Sequence, residues 1–309
     1  MSERAVVCED LRARIGELER DGFRLDCIYP ADEPHTALLS RAGESVRLTS
    51  RPDAPLPADT LPPFAPEFVL TPADDSAGQG RAGMLYRDLI PGRLGGRYVA
   101  SHISIPAGGR VADWVHFHRI ALQLIVVRRG WVRVVYEDQG EPFVMDEGDL
   151  VLQPPGIRHR VLESSPGLEV IEITAPALHE TFADHAMQLP NGRNPERLFG
   201  TQRFLRHVAA DTPWTPFRGG EAQETGIADA TAGLAEVRTI RAMSGTSIDF
   251  APHDGELVFG FVLGGSAVLN PAHALNAGDA FVIPPGDAWR MADLSPDFRL
   301  LHVTTARFD

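Results

Sequence analysis

Three histidines in this chain stand at spacings that suit a metal ion. His116 and His118 are two residues apart, so in a β-strand both side chains project from the same face. His159 follows the turn-forming run Pro154-Pro155-Gly156 and could reach the same cavity from another strand. Neutral imidazoles are the commonest protein ligands for zinc, copper, iron and nickel. Glu172 lies between Ile171 and Ile173 and shares a strand face with Val170 and Thr174. Facing inward, it would be a catalytic base or a partner for a ligand's second ring nitrogen. Facing outward, it would be an ordinary solvated glutamate. His102, on one face with Tyr98 and Ser104, is a catalytic candidate if it lines the cavity and a satisfied sheet histidine if it does not.

Other chemistries find no support. All 29 positive charges are arginine, which excludes lysine Schiff-base, pyridoxal-phosphate and P-loop mechanisms. The arginine bias fits a GC-rich bacterial genome. His179-Glu180 and His185 do not have the spacing that puts two histidines on one helix face. No nucleophile elbow or dinucleotide-type glycine loop occurs. A net charge of −13 argues against a nucleic-acid partner. Apolar runs such as Leu124–Val127 are too short to span a bilayer, and residues 1–5 lack a signal-peptide layout. With only Cys8 and Cys27, no disulfide framework is available, and a cytoplasmic location is expected.

The elements that must position these residues are mostly strands. Leu11, Ile15 and Leu18 predict one helix, over residues 9–21, stopped by Gly22. Short strands follow at 23–28, 37–39 and 45–48. Residues 51–66 and 73–81 read as loops. From residue 98 onward, short apolar runs separated by Gly, Pro and Asp predict strands at 98–105, 122–127, 131–136, 149–153, 160–162 and 168–174. A helix is expected near 195–207, and strands return at 235–240, 257–263, 267–269, 280–283 and 300–304.

A repeat runs through this pattern. Gly148-Asp149-x4-Pro154-Pro155-Gly156 recurs as Gly278-Asp279-x4-Pro284-Pro285-Gly286, and His118 and Gly130 recur as His253 and Gly265. In the second copy Ala251, Val258 and Trp289 replace His116, Gln123 and His159, so one histidine remains where a site would need several.

Gly109-x6-His116-x-His118-x4-Gln123-x6-Gly130 resembles the first cupin motif, and Gly148-x5-Pro154-x-Gly156-x2-His159 matches the second. With its duplication, the chain looks like a bicupin. The resemblance implies an all-β protein of two jelly-roll-like cupin barrels with a small N-terminal α+β extension. The expected layout is an extension over 1–80, a first cupin domain with the metal site over 81–180, and a linker and degenerate second cupin over 181–309. It also implies that His116, His118 and His159 hold one divalent metal.

The family's usual glutamate is Gln123 here, and the leading glycine sits one residue early. Gln123 could ligate weakly, hydrogen-bond a ligand or substrate, or belong to the barrel's own hydrogen bonds. Cupin dioxygenases with a three-histidine iron site also lack the glutamate. The resemblance therefore implies an Fe(II) dioxygenase for a small anionic bidentate substrate, phenolic or dicarbonyl. The alternatives are a Zn, Ni or Mn lyase or isomerase with a base such as Glu172, and a non-enzymatic binder of small molecules. Sheet edges of cupin barrels point to a homodimer.

Overall fold

The computed structural model describes residues 3–55, 57, 60–75, 78–79, 84–242 and 247–308. Strands dominate. The N-terminal helix runs Leu11–Arg20, and the Asp10 side chain caps it by accepting from Ala13 N at 2.9 Å. Its apolar face, Leu11 and Leu18, packs on Leu39 and Leu48 of the adjoining strands.

Those N-terminal strands do not form a separate cap. Arg24–Tyr29 pairs with Thr181–Ala183, which in turn pairs with His116–His118. One 10-stranded sheet therefore runs from the extension through the histidine strand to His159–Ser164, Val132–Tyr136 and Phe143–Met145. A seven-stranded sheet built around Leu122–Arg129, Leu168–Ala175 and Val99–Ile105 covers its other face and completes the first unit.

The second unit repeats this plan with a seven-stranded and a four-stranded sheet. Leu122, Leu124, Ile171 and Ile173 of the first unit share one buried core with Phe259, Phe261, Leu301 and Val303 of the second. The central strands are thus buried on both faces, which is why they read as unbroken apolar runs. A buried bidentate pair joins the units: Arg97 donates to both Glu256 oxygens, at 2.8 and 2.6 Å.

The repeated Gly-Asp has a physical role in how the units exchange strands. Val69–Thr71, in the segment preceding the first unit, adds to the second unit's strand Ala280–Val282. Leu205–His207, in the segment preceding the second unit, adds to the first unit's Leu150–Leu152. Asp279 accepts from Ala73 N at 2.7 Å, and Asp149 accepts from Ala209 N at 2.9 Å. Each aspartate therefore grips the chain just beyond the strand it receives. A Cβ on Gly278 would stand 2.9 Å from Ala73 Cβ, and one on Gly148 would stand 2.9 Å from Ala209 Cβ.

Two expectations are corrected. The stretch near 195–207 is not helical. Gly200, at φ +65°, turns a small hairpin between Leu198–Phe199 and Gln202–Arg203, and Leu205–His207 then joins the sheet. Burial of Phe199 and Phe204 in the first unit's core outweighs a weak local helix preference. Within the loop expected over 73–81, Gly78–Gln79 pairs with Leu85 and Tyr86. Between the two expected loops, the strand Val69–Thr71 has backbone partners over 200 residues away.

Aromatic side chains fill the second unit's interior. Phe250 stacks on Trp289 with ring centroids 3.8 Å apart, and a Cβ on Gly260 would lie 2.1 Å from the Phe281 ring. His302 is sealed among them and pairs across the ladder with Gly260, as Glu172 does with Ile125 in the first unit. Burial, then Arg238, Arg218 and His253, push its pKa from 6.5 down to about 3.

The unfolded chain therefore binds a proton at His302 between those two values while the folded chain does not. Stability from this site is full above pH 6.5 and declines as pH falls towards 3. His302→Leu should flatten the acid limb of urea-unfolding stability, by at most about 1.4 kcal/mol per pH unit. Parallel acid limbs in the two proteins would contradict this.

Candidate metal centre

Strand register brings the three histidines together. His116 pairs directly with His159, and His118 pairs with Thr181 on the other side. The proline-glycine turn returns the chain for this pairing, with Gly156 N donating to His118 O at 3.3 Å and Gly156 at φ +74°. One ligand atom from each of His116, His118 and His159 forms a group whose members all lie within 4.8 Å of one another. Phe117 points to the opposite face, where it stacks on Phe182.

Each ring is held through Nδ1. His116 Nδ1 donates to Trp114 O at 2.7 Å and His159 Nδ1 to Ile157 O at 3.1 Å, while His118 Nδ1 pairs with Thr181 Oγ1 at 3.0 Å. A carbonyl can only accept, so in His116 and His159 the proton sits on Nδ1 and Nε2 is the nitrogen left for a metal. The Thr181 hydroxyl can accept from His118 Nδ1 in the same way. The Asp113 carboxylate lies 3.5 Å from His116 Nδ1 and also accepts from Val161 N. Three converging neutral nitrogens suit a divalent iron, manganese, zinc or nickel ion.

The triad borders a cavity of about 130 Å³ with a largely apolar lining. Gln123 lines it but is committed to a hydrogen-bonded chain. Its Nε2 donates to Glu172 Oε1 at 2.9 Å, and its Oε1 accepts from Gln153 Nε2 at 2.7 Å. Tyr136 OH closes the chain onto Gln153 Oε1. The Glu172 carboxylate only accepts, so it sets the direction of every amide along this row. Gln123 therefore turns its amino group to Glu172 and its carbonyl to Gln153.

Glu172 faces inward and lines the same cavity, with Thr174 Oγ1 donating to Oε1 at 3.1 Å. His102 does not. It lies on the opposite face of its sheet, bonded through Nε2 to Glu169 at 2.9 Å and set against Phe261 of the second unit. Alternation explains the difference: Val99, Ser101 and Ile103 take the cavity face, and the residues between them take the face shared by the units. Trp114 rests edge-on against His116.

Sequence reasoning missed Thr181, Tyr136, Gln153, His179 and Asp32. Alternation along Val132–Tyr136 places Tyr136 on the cavity face, so that residue carried a usable signal. Asp32 reaches the cavity from the N-terminal strands, and His179 from beyond the last strand of the motif. Neither lies within a motif.

No family model and no curated protein sequence matches the chain. Solved structures do. A Pseudomonas aeruginosa protein described as glyoxylate-induced is similar over 82% of this chain and 94% of its own, with a TM-score of 0.58 at 16% identity. The Lactobacillus farciminis oxalate decarboxylase formate complex is similar over 82% and 88%, with a TM-score of 0.56 at 14% identity. Bacillus subtilis oxalate decarboxylase, studied for its Mn(II) centres, is similar over 82% and 79%, with a TM-score of 0.57 at 13% identity. The chain has the two-unit cupin fold of these proteins.

Purified protein should hold close to one equivalent of divalent metal per chain by elemental analysis, and His118→Ala should abolish it. Two equivalents, or retention in the variant, would place the site elsewhere. Gln123→Ala should keep most of the metal, because its carbonyl is already engaged by Gln153. Complete metal loss there would make Gln123 a ligand.

Proposed function

We propose that this chain is a metal-dependent cupin enzyme acting on a small anionic, bidentate substrate, and that its reaction is an Fe(II)-dependent dioxygenation. The carrying observation is a set of three neutral nitrogen donors bordering a small, mostly apolar cavity. A divalent ion held there keeps its full positive charge, lowers the pKa of a chelating oxygen acid and, as Fe(II), supplies electrons for dioxygen chemistry.

The cavity's size restricts the substrate. An apolar cavity of roughly 150 Å³ takes benzene, so about 130 Å³ admits a small aromatic or a short dicarboxylate or dicarbonyl. Val132, Val134, Val161 and Val170 give it an apolar wall. The chain has no lysine, and no arginine is among the described residues that line the cavity, so the charge of the centre is what attracts an anion there. Gln123 orients Glu172, whose Oε1 takes two donors, so Oε2 is the oxygen offered to a substrate proton.

That inward carboxylate also supports a second reading, a lyase or isomerase using Mn, Zn or Ni with Glu172 as base. The fold shared with oxalate decarboxylases is compatible with it.

Oxygen uptake separates the two. Apoprotein reconstituted with Fe(II) should consume O2 with a small phenolic or dicarbonyl acid, and activity should fall in acid as protons compete for the ligand histidines. Full turnover with Mn, Zn or Ni under anaerobic conditions would replace the oxygenase reading with the lyase or isomerase one.

A further inference from the structure

Two buried side-chain atoms, each on a residue that lines the cavity, have no hydrogen-bond partner among the described residues. One is His179 Nε2, on a ring only 3% exposed. The other is Asp32 Oδ1. Both residues line the cavity beside the triad, and His179 lies edge-on to His118 with ring centroids 5.4 Å apart. A buried polar atom without a partner costs stability, so two such atoms on residues of one cavity call for an explanation.

The bonds these side chains do make settle what the atoms are. His179 Nδ1 donates to Pro176 O at 3.0 Å, so its proton is on Nδ1 and Nε2 carries a lone pair. Asp32 Oδ2 accepts from Arg93 Nη2 at 2.7 Å, which fixes the carboxylate and leaves Oδ1 as the oxygen without a partner. Both atoms are therefore acceptors. Neither welcomes the anionic end of a substrate, and both match an O–H or N–H group. His179 also stands outside the cluster of candidate ligand atoms, so the triad does not account for it.

We propose that His179 Nε2 and Asp32 Oδ1 form an acceptor pair that reads a hydrogen-bond donor on the substrate, away from its chelating end. This rests on the reading of the triad as an anion-binding metal centre and narrows it. The substrate is a small chelating acid that also carries a hydroxyl or amino group. The extension then has a part in specificity, because Asp32 comes from the turn between its strands Arg24–Tyr29 and Thr36–Arg41. A site built to bond a donor rejects the analogue lacking it, since its own buried groups are then left unpaired.

Binding to the metal-loaded protein under anaerobic conditions tests this without turnover. Calorimetry would compare 2-oxobutanoate, 4-hydroxy-2-oxobutanoate and 4-amino-2-oxobutanoate, which share one chelating end. At least one donor-bearing acid should bind about tenfold more tightly than 2-oxobutanoate, as expected for a hydrogen bond to a charged or buried acceptor. Preference for the hydroxy or the amino acid identifies the donor. His179→Phe and Asp32→Asn should each reduce that preference severalfold while metal content stays near one equivalent. Equal binding of all three acids, or an unchanged preference in both variants, overturns the acceptor pair alone. Loss of metal in His179→Phe would make His179 a ligand and overturn it as well. No binding of any acid would remove both this inference and the anion-binding role of the centre.

Discussion

Direct pairing of His116 with His159 in an antiparallel ladder is the constraint from which the site follows. Side chains alternate across a sheet, so a slip of one residue between the strands would leave the two imidazoles on opposite faces. The neighbouring strands guard against that slip. Thr181 sits opposite His118 and meets its Nδ1, and Phe182 stacks on Phe117 on the far side. The same ladder continues into Arg24–Tyr29, so the extension is anchored to the strand that carries two of the three histidines. Asp32 reaches the cavity through that attachment.

The two units show what separates a cavity from a filled interior within one plan. Both keep the Gly-Asp turn, because it holds the strand each receives from the segment preceding the other. They differ in the side chains turned inward. The first unit's cavity is lined by four histidines, two glutamines, Glu172 and Asp32, whose polar atoms demand partners and leave space among them. In the second, Trp289 takes the place of His159 and stacks on Phe250, and the Phe281 ring packs so closely that residue 260 has no room for a Cβ. Aromatic burial of this kind stabilises a unit without a metal.

Charge in the first unit is arranged with similar economy. The Asp113 carboxylate approaches His116 from behind its Nδ1. Glu172 is a carboxylate on the cavity wall, and the row Tyr136–Gln153–Gln123 runs towards it with every donor pointing the same way. The glutamine in place of the family's glutamate is the middle of that row. An anion at this position would face Glu172 across the space that the amide hydrogen bond now occupies, and like charges so close would disfavour each other.

Motif spacing, through its resemblance to the cupin motifs, was enough to single out His116, His118 and His159 as a candidate set, together with the duplication and the absence of that set from the second copy. The pairing of distant strands decided that the three converge. Alternation also indicated which residues share a face. It did not indicate which face points inward. Glu172 and His102 looked alike in sequence, and only the packing of one sheet against the other unit turned Glu172 to the cavity and His102 to Glu169 and Phe261. The strand Val69–Thr71 was illegible for a related reason: its stabilising partners, Ala280–Val282, lie more than 200 positions away. The stretch 195–207 lost its helix to the burial of Phe199 and Phe204. Asp32 and His179 have no sequence signal at all, because what distinguishes them is a buried atom on a residue that lines a shared cavity, and that depends on where distant segments of the folded chain meet.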